Sequence, residues 1–166
     1  MNASADQVEL SGYIPGAIGK VTELHARYYS EHWGFGLYFE SKVATELSEF
    51  LNRFHEGRDG FWVATSGGQI VGSIAIDGIE AGGSGARLRW FIVAQEFHGL
   101  GIGRRLMREA IDFCRHSGIK RIYLWTFAGL DAARHLYEEF GFVVREEHQD
   151  TQWGEMVLEQ LFELSL

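Results

Sequence analysis

One stretch of the chain, residues 88–116 (LRWFIVAQEFHGLGIGRRLMREAIDFCRH), joins an apolar run, a glycine-rich loop and a helical pattern. The near-continuous apolar run predicts a strand over residues 88–94 that is buried on both faces. Glycines follow at positions 99, 101 and 103. The apolar spacing after them predicts a helix that runs to about residue 117 and is stopped by Gly118. A strand, a glycine loop and a helix therefore form the centre of the predicted fold.

The glycine loop has the chemistry of a binding site for an anion. Glycine has no Cβ, so backbone N–H groups can approach a pyrophosphate closely. The helix N-terminus adds unpaired donors and the positive end of a dipole, and Arg104 and Arg105 can pair with further phosphates. A turn used only for chain reversal is the alternative. The G-x-G-x-G spacing fits neither the Gly-Lys-Ser/Thr phosphate loop nor the dinucleotide fingerprint.

Outward from this unit, the hydrophobic periodicity predicts an α/β fold with a mixed sheet, in the order β-α-α-β-β-β-α-β-α-β-β. The other strands are expected at residues 8–13, 61–65, 70–76, 122–126, 142–147 and 156–164, the last two as an antiparallel pair. The other helices are expected at residues 18–32, 38–54 and 131–140. No repeat or linker interrupts residues 1–166, which predicts a single domain.

Composition excludes several classes of function. The formal net charge is −8, which argues against nucleic-acid binding because that needs a positive surface. No apolar run reaches the ~20 residues that span a bilayer, and the N-terminus has no signal-peptide pattern. The single cysteine, Cys114, lies on the apolar helix face and is expected to be a buried structural thiol. We therefore expect a cytoplasmic protein with no membrane partner.

The glycine loop, with its histidine, resembles the signature Q/R-x-x-G-x-G/A of the GNAT superfamily of N-acetyltransferases. His98 stands where that family usually has Arg or Gln. A tyrosine shortly before a Gly-Phe pair is a second family feature, matched by Tyr137 and Gly141-Phe142, whereas Leu130 replaces an asparagine often found upstream. A weaker likeness, through Leu124-Trp125-Thr126, is to the GNAT domains fused behind MarR-type regulators.

The resemblance implies acetyl-CoA as co-substrate and transfer of its acetyl group to a primary amine of a small molecule or peptide, by direct attack in a ternary complex. It implies Tyr137 as the catalytic group that protonates the departing thiolate, although helix spacing alone favours a core residue. A non-catalytic acyl-CoA-binding sensor or interaction domain is the alternative. The cofactor-binding residues that the family resemblance implies are Ile92, Val93, His98, Gly99, Leu100, Gly101, Ile102, Gly103 and Arg104.

The general base and the acceptor stay open at this level. The predicted strand over residues 87–93 has no carboxylate, so Asp77, Glu80 and His148 are the candidates for the base. The histidines show no metal-ligand spacing, and no metal is expected. The acidic surface favours a cationic acceptor by electrostatic attraction; a homodimer is left open. The aromatic residues Trp33, Phe35 and Tyr38 are expected to shape the acceptor pocket or belong to the core.

Overall fold

The computed structural model describes Ser4 and residues 7–166. In this part of the chain, seven strands form one mixed sheet in the order β1-β2-β3-β4-β5-β7-β6. The elements are β1 (Val8–Ser11), α1 (Ala17–Trp33), α2 (Leu37–Asn52), β2 (Gly60–Ser66), β3 (Gln69–Asp77), β4 (Ala86–Val93), α3 (Ile102–His116), β5 (Arg121–Phe127), α4 (Asp131–Glu139), β6 (Val143–Asp150) and β7 (Val157–Ser165). The predicted element order is confirmed, and so is the antiparallel pairing of the last two strands.

Each face of the sheet carries its own apolar core. On one face, α3 contributes side chains at helical spacing (Leu106, Met107, Ala110, Ile111 and Cys114), and Tyr137 of α4 joins them. On the other face, α1 and α2 contribute Val21, Phe39, Val43, Leu47 and Phe50. Cys114 is buried, which confirms the expected buried thiol, and burial raises its pKa to about 12. We call these the α3/α4 face and the α1/α2 face.

The sheet opens between its two central strands. β4 and β5 run parallel and pair only at Ala86 with Ile122 and at Arg87 with Tyr123. The other edge of β4 stays paired with β3 as far as the Gly72–Val93 pair. The second half of β4 therefore has strand pairing on one edge only, and a cleft begins where β5 leaves it.

The predicted burial of β4 on both faces is wrong for its second half. Leu88 and Trp90 are buried, but residues 91–94 are only partly buried. The physical reason is the divergence of β5, because these residues face the opening instead of a neighbouring strand and a helix layer. An apolar run alone cannot distinguish the two situations. No helix among the described residues is long and apolar enough to cross a membrane.

Candidate active site

Two cavities meet at the opening between β4 and β5. One, of about 600 Å³, lies against the glycine loop and α4, and we call it the glycine-loop cleft. The other, of about 130 Å³, lies under α1 and α2, and we call it the inner pocket. Four residues line both cavities: Tyr29, Phe91, Leu130 and Ala133. A ligand in one cavity can therefore contact a ligand in the other.

Backbone conformation explains two of the loop glycines. Gly99 has φ 80° and Gly101 has φ 78°, in the left-handed region that L-residues avoid. A Cβ added at either position would meet no atom within 4 Å, so the space beside the loop is open. Gly103 differs, because its Cβ would lie 3.2 Å from Cζ of Phe91. It is required for the close approach of α3 to β4.

The structure brings together eight of the nine residues assigned to the cofactor by resemblance, since all but Leu100 line the glycine-loop cleft. Leu100 packs against the core of the α3/α4 face. Nε2 of His98 lies 2.7 Å from the carbonyl oxygen of Val93, so an N–H at Nε2 donates to that carbonyl and ties the loop to β4. His98, which stands where the family usually has Arg or Gln, therefore forms a hydrogen bond within the protein that stabilises the loop.

The two arginines that follow the loop have different environments. Arg104 lines the cleft and pairs through two nitrogens with the Glu139 carboxylate, at 2.9 and 3.1 Å. Arg105 donates from a guanidinium nitrogen to the carbonyl of Val8, at 3.0 Å. The expectation that Arg105 faces phosphates is therefore wrong, because the helix turns its side chain towards β1.

A bulge distorts β4 at the meeting point of the cavities. Trp90 has φ 47°, the one positive φ of a non-glycine residue in the described ranges. The β3–β4 register shifts at the same place, between Ser73 and Ala75. The buried Ser73 hydroxyl donates to the Trp90 carbonyl at 2.6 Å and holds the strained conformation. The bulge redirects the backbone of Phe91 and Ile92 at the open edge.

Two tyrosines line the inner pocket, and one of them, Tyr29, also lines the glycine-loop cleft. Tyr137 is 6% exposed, lines the inner pocket and packs against the rings of Phe91, Phe142 and Phe162. Burial raises its pKa far above that of a free phenol. Burial also raises the pKa of Tyr29, with Tyr137 and Tyr28 adding to the shift. Both hydroxyls therefore stay protonated at neutral pH and are able to donate a proton.

Sequence reasoning missed the charged lining of the inner pocket. Glu46 accepts hydrogen bonds from Lys42, at 3.0 Å, and from Arg89, at 2.9 Å. Burial, and then the neighbouring Arg87, lowers the pKa of Arg89 to about 10, so its charge persists at neutral pH. The signal was available, because residues two apart on a strand share a face. Arg87 and Arg89 are two apart on a predicted strand that is otherwise apolar.

The buried imidazole of His25 was also missed. Its Nδ1 lies 2.8 Å from the Val21 carbonyl oxygen, one helical turn earlier, and its ring lines the inner pocket. Burial lowers its pKa to about 4 and outweighs the backbone hydrogen bond, which raises it. His25 is therefore neutral at neutral pH.

The three candidates for a general base lie outside the linings of both cavities. Asp77 accepts a hydrogen bond from Arg53 at 3.1 Å, and Glu80 is exposed in the turn before β4. His148 is exposed on β6, with its ring against that of Trp125 at 5.4 Å. Trp33, Phe35 and Tyr38, which were expected in the acceptor pocket or in the core, also lie outside both linings. Phe35 belongs to the core, Trp33 packs on Phe127, and Tyr38 is 60% exposed.

The structure groups three potential metal ligands that the sequence spacing did not indicate. Ligand atoms of His148, Asp150 and Glu159 lie within 4.8 Å of one another, on the β6–β7 hairpin. Glu159 is buried and accepts hydrogen bonds from the side chain and the backbone N–H of Gln152. These contacts already give the buried carboxylate polar partners within the protein.

Comparisons with known proteins agree on one family. The model of the acetyltransferase (GNAT) family matches residues 18–142. N-acetylaspartate synthetase from Xenopus tropicalis is 31% identical over 144 residues, which are 84% of this chain and 52% of that protein. The Danio rerio protein of the same name is 32% identical over 119 residues, or 70% and 42%. The chain spans about half the length of the curated relatives it matches.

Solved structures show the same fold at lower identity. Ribosomal-protein-alanine N-acetyltransferase from Brucella melitensis has a TM-score of 0.76 at 18% identity, over 95% of this chain and 99% of its own. The protein yncA from Salmonella typhimurium, solved with its cofactor acetyl-CoA, has a TM-score of 0.75 at 16% identity, over 96% and 94%.

Proposed function

The chain belongs to the acetyltransferase (GNAT) family, and on that premise we propose that it transfers the acetyl group of acetyl-CoA to a primary amine. The observation that carries the proposal is the meeting of two cavities at the open edge of β4. One has the glycine loop that suits a pyrophosphate, and the other is a smaller pocket for the acceptor. In this proposal, the acceptor attacks directly while both substrates are bound.

The residues of the glycine-loop cleft fit the cofactor. The open space beside Gly99 and Gly101 leaves room for the pyrophosphate, close to the first backbone N–H groups of α3. Arg104, at the rim, adds a cation that can exchange Glu139 for a phosphate. The open edge of β4 at Ile92 and Val93 offers backbone groups to the amides of the pantetheine arm. Bound acetyl-CoA supplies an activated thioester.

The chain's own groups then provide for the transfer. A backbone N–H at the β4 bulge can polarise the thioester carbonyl. As the amine nitrogen forms its bond to the acetyl carbon, the carbon–sulfur bond breaks and the Tyr137 hydroxyl gives its proton to the departing thiolate. The nitrogen loses one proton, and Tyr137 is reprotonated from solvent. Glu46 is held by two cations, so we propose water as the acceptor of the amine proton.

Size and similarity favour a small acceptor. The inner pocket has about 130 Å³, below the ~300–1,000 Å³ of drug-sized sites. The name of two relatives, N-acetylaspartate synthetase, states a product in which the amine of an amino acid carries the acetyl group. We therefore propose a small molecule or a chain terminus as the acceptor, in preference to a folded surface.

Release of free thiol from acetyl-CoA tests the function. The protein is incubated with acetyl-CoA and, in separate reactions, with amino acids, polyamines and short peptides, and the acetylated product is identified by mass spectrometry. We expect amine-dependent thiol release above the rate without amine. Binding of acetyl-CoA without turnover of any amine would instead favour a non-catalytic sensor.

A further inference from the structure

We infer that the inner pocket binds a carboxylate of the acceptor through Arg87, so that the acceptor is an amine that also carries a carboxylate, such as an amino acid. The inference rests on the proposed function, because only that proposal assigns the pocket to the acceptor. It adds the chemical class of the substrate and a residue that selects it.

The charge of the pocket carries the first step. Three cationic side chains line it (Lys42, Arg87 and Arg89) against one carboxylate, Glu46. His25, the remaining titratable group with a basic nitrogen in this lining, is neutral at neutral pH. The pocket is thus positive in a chain with a formal net charge of −8. The cationic acceptor expected from the acidic surface would meet charges of its own sign here.

The ion pairs of these side chains leave Arg87 as the cation of the pocket without a carboxylate partner among the described residues. Glu46 accepts from both Lys42 and Arg89. Among the described residues Arg87 forms no ion pair, and its buried Nε has no hydrogen-bond acceptor. Asp77 is its neighbour across the β3–β4 ladder, but the Asp77 carboxylate is bound by Arg53 and lies 3.8 Å from Arg89.

The buried Nε of Arg87 is a hydrogen-bond donor without an acceptor. A buried donor left unpaired is unfavourable, so the protein gains when a ligand brings an acceptor to this arginine. The guanidinium presents donors in a planar fork that matches the two oxygens of a carboxylate. Because the same pocket is lined by Phe91 and Tyr137, one small molecule can place its carboxylate at Arg87 and its amine towards the β4 opening.

Matched pairs of acceptors test the inference. Turnover is measured for L-amino acids against their α-carboxamides and for L-aspartate against L-asparagine, with rates corrected for the fraction of neutral amine. We expect kcat/KM to be at least tenfold higher for the carboxylate member of at least one pair. Arg87→Gln should remove that preference while leaving the KM for acetyl-CoA unchanged, and Arg87→Lys, which keeps the charge but not the fork, should fall between.

The control is Arg145→Gln, which removes an exposed arginine from β6, outside both cavity linings. It should leave the preference as it is. Unchanged thermal unfolding of Arg87→Gln shows that the variant folds. Equal use of both members of every pair by the unchanged enzyme would overturn the inference, as would an equal effect of Arg87→Gln on acid and amide.

A calorimetric titration separates this inference from the proposed function. The same acids and amides are titrated into the protein with CoA present, so that no turnover is needed. Binding of an acid that is lost in Arg87→Gln supports the carboxylate site even if no amine is acetylated, in which case the proposed function fails alone. If turnover occurs but acids and amides bind alike, the carboxylate site fails and the proposed function stands.

Discussion

The glycine-loop cleft and the inner pocket adjoin each other but are built from different parts of the chain. The features of the cleft that suit a pyrophosphate and a pantetheine arm are features of the backbone: glycines in the left-handed region, a helix N-terminus and the open edge of β4. The pocket is built from side chains of α1, α2, β4, β5 and α4, with charges that include Lys42 and Arg87. A backbone site tolerates few residue types, whereas a side-chain site can change its charge with one substitution. In the proposed function, the cleft is therefore the part constrained by the cofactor, and the pocket is where specificity for the acceptor can vary.

The largest effect that we expect concerns stability against pH on the pocket side. His25 has a pKa of about 4 in the folded protein against 6.5 for the free group, so the unfolded chain binds more protons between these values. The stability that His25 contributes is therefore fully present above pH 6.5 and is lost as the pH falls towards 4. Over that window it amounts to about 3 kcal/mol of the free energy of unfolding. The free energy of unfolding is measured with denaturant at pH 7 and at pH 4.5. Between these values it should decrease less in His25→Gln than in the unchanged protein.

The α3/α4 face supplies the matched control. Nδ1 of His116 lies 2.7 Å from the Asp112 carbonyl oxygen, one turn earlier on α3, but its ring is exposed. His116→Gln should leave the pH dependence of unfolding close to that of the unchanged protein. If His25→Gln and His116→Gln change the pH dependence of unfolding equally, burial of the His25 imidazole is not the cause of that dependence.

The second effect distinguishes the two tyrosines of the inner pocket, Tyr137 and Tyr29. If Tyr137 donates the proton, Tyr137→Phe should lower kcat by ~10²-fold while acetyl-CoA affinity is nearly intact. Tyr29→Phe removes the hydroxyl of the other tyrosine, which is partly buried and lines both cavities, and should cost much less. Steady-state kinetics with calorimetry on both variants checks this. A larger loss in Tyr29→Phe would make Tyr29 the proton donor, and full activity in both would mean that the thiolate leaves unassisted.

The contrast between the cavities also explains what the sequence could predict. The element order followed from hydrophobic periods that are local in the chain, and the left-handed Gly99 and Gly101 follow from a rule on single residues. The lining of the pocket follows from neither. His25, Glu46 and Arg87 come from three separate elements, so their meeting depends on how the helices cross the sheet. The prediction that Arg105 faces phosphates was wrong for the same reason, since its partner Val8 lies 97 residues away in the chain.

The smallest effect tests the backbone character of the cleft. Gly101→Ala forces an L-residue into φ 78° and places a methyl group in the open space beside the loop. We expect acetyl-CoA affinity to fall at least tenfold, about 1.4 kcal/mol, measured by calorimetry. Part of any change could come from strain, which costs roughly 1–2 kcal/mol of stability for a left-handed L-residue.

The other end of α3 offers a control variant that has the same backbone strain but lies outside both cavity linings. Gly118 follows α3, has φ 74°, is exposed, and a Cβ there would likewise meet nothing within 4 Å. Gly118→Ala should therefore lower the free energy of unfolding about as much as Gly101→Ala while leaving acetyl-CoA affinity unchanged. Equal affinity in the two variants would remove the glycine loop from cofactor binding. A loss confined to Gly101→Ala would assign the open space beside the loop to the pyrophosphate, because strain is common to both variants and only the position of the methyl group differs.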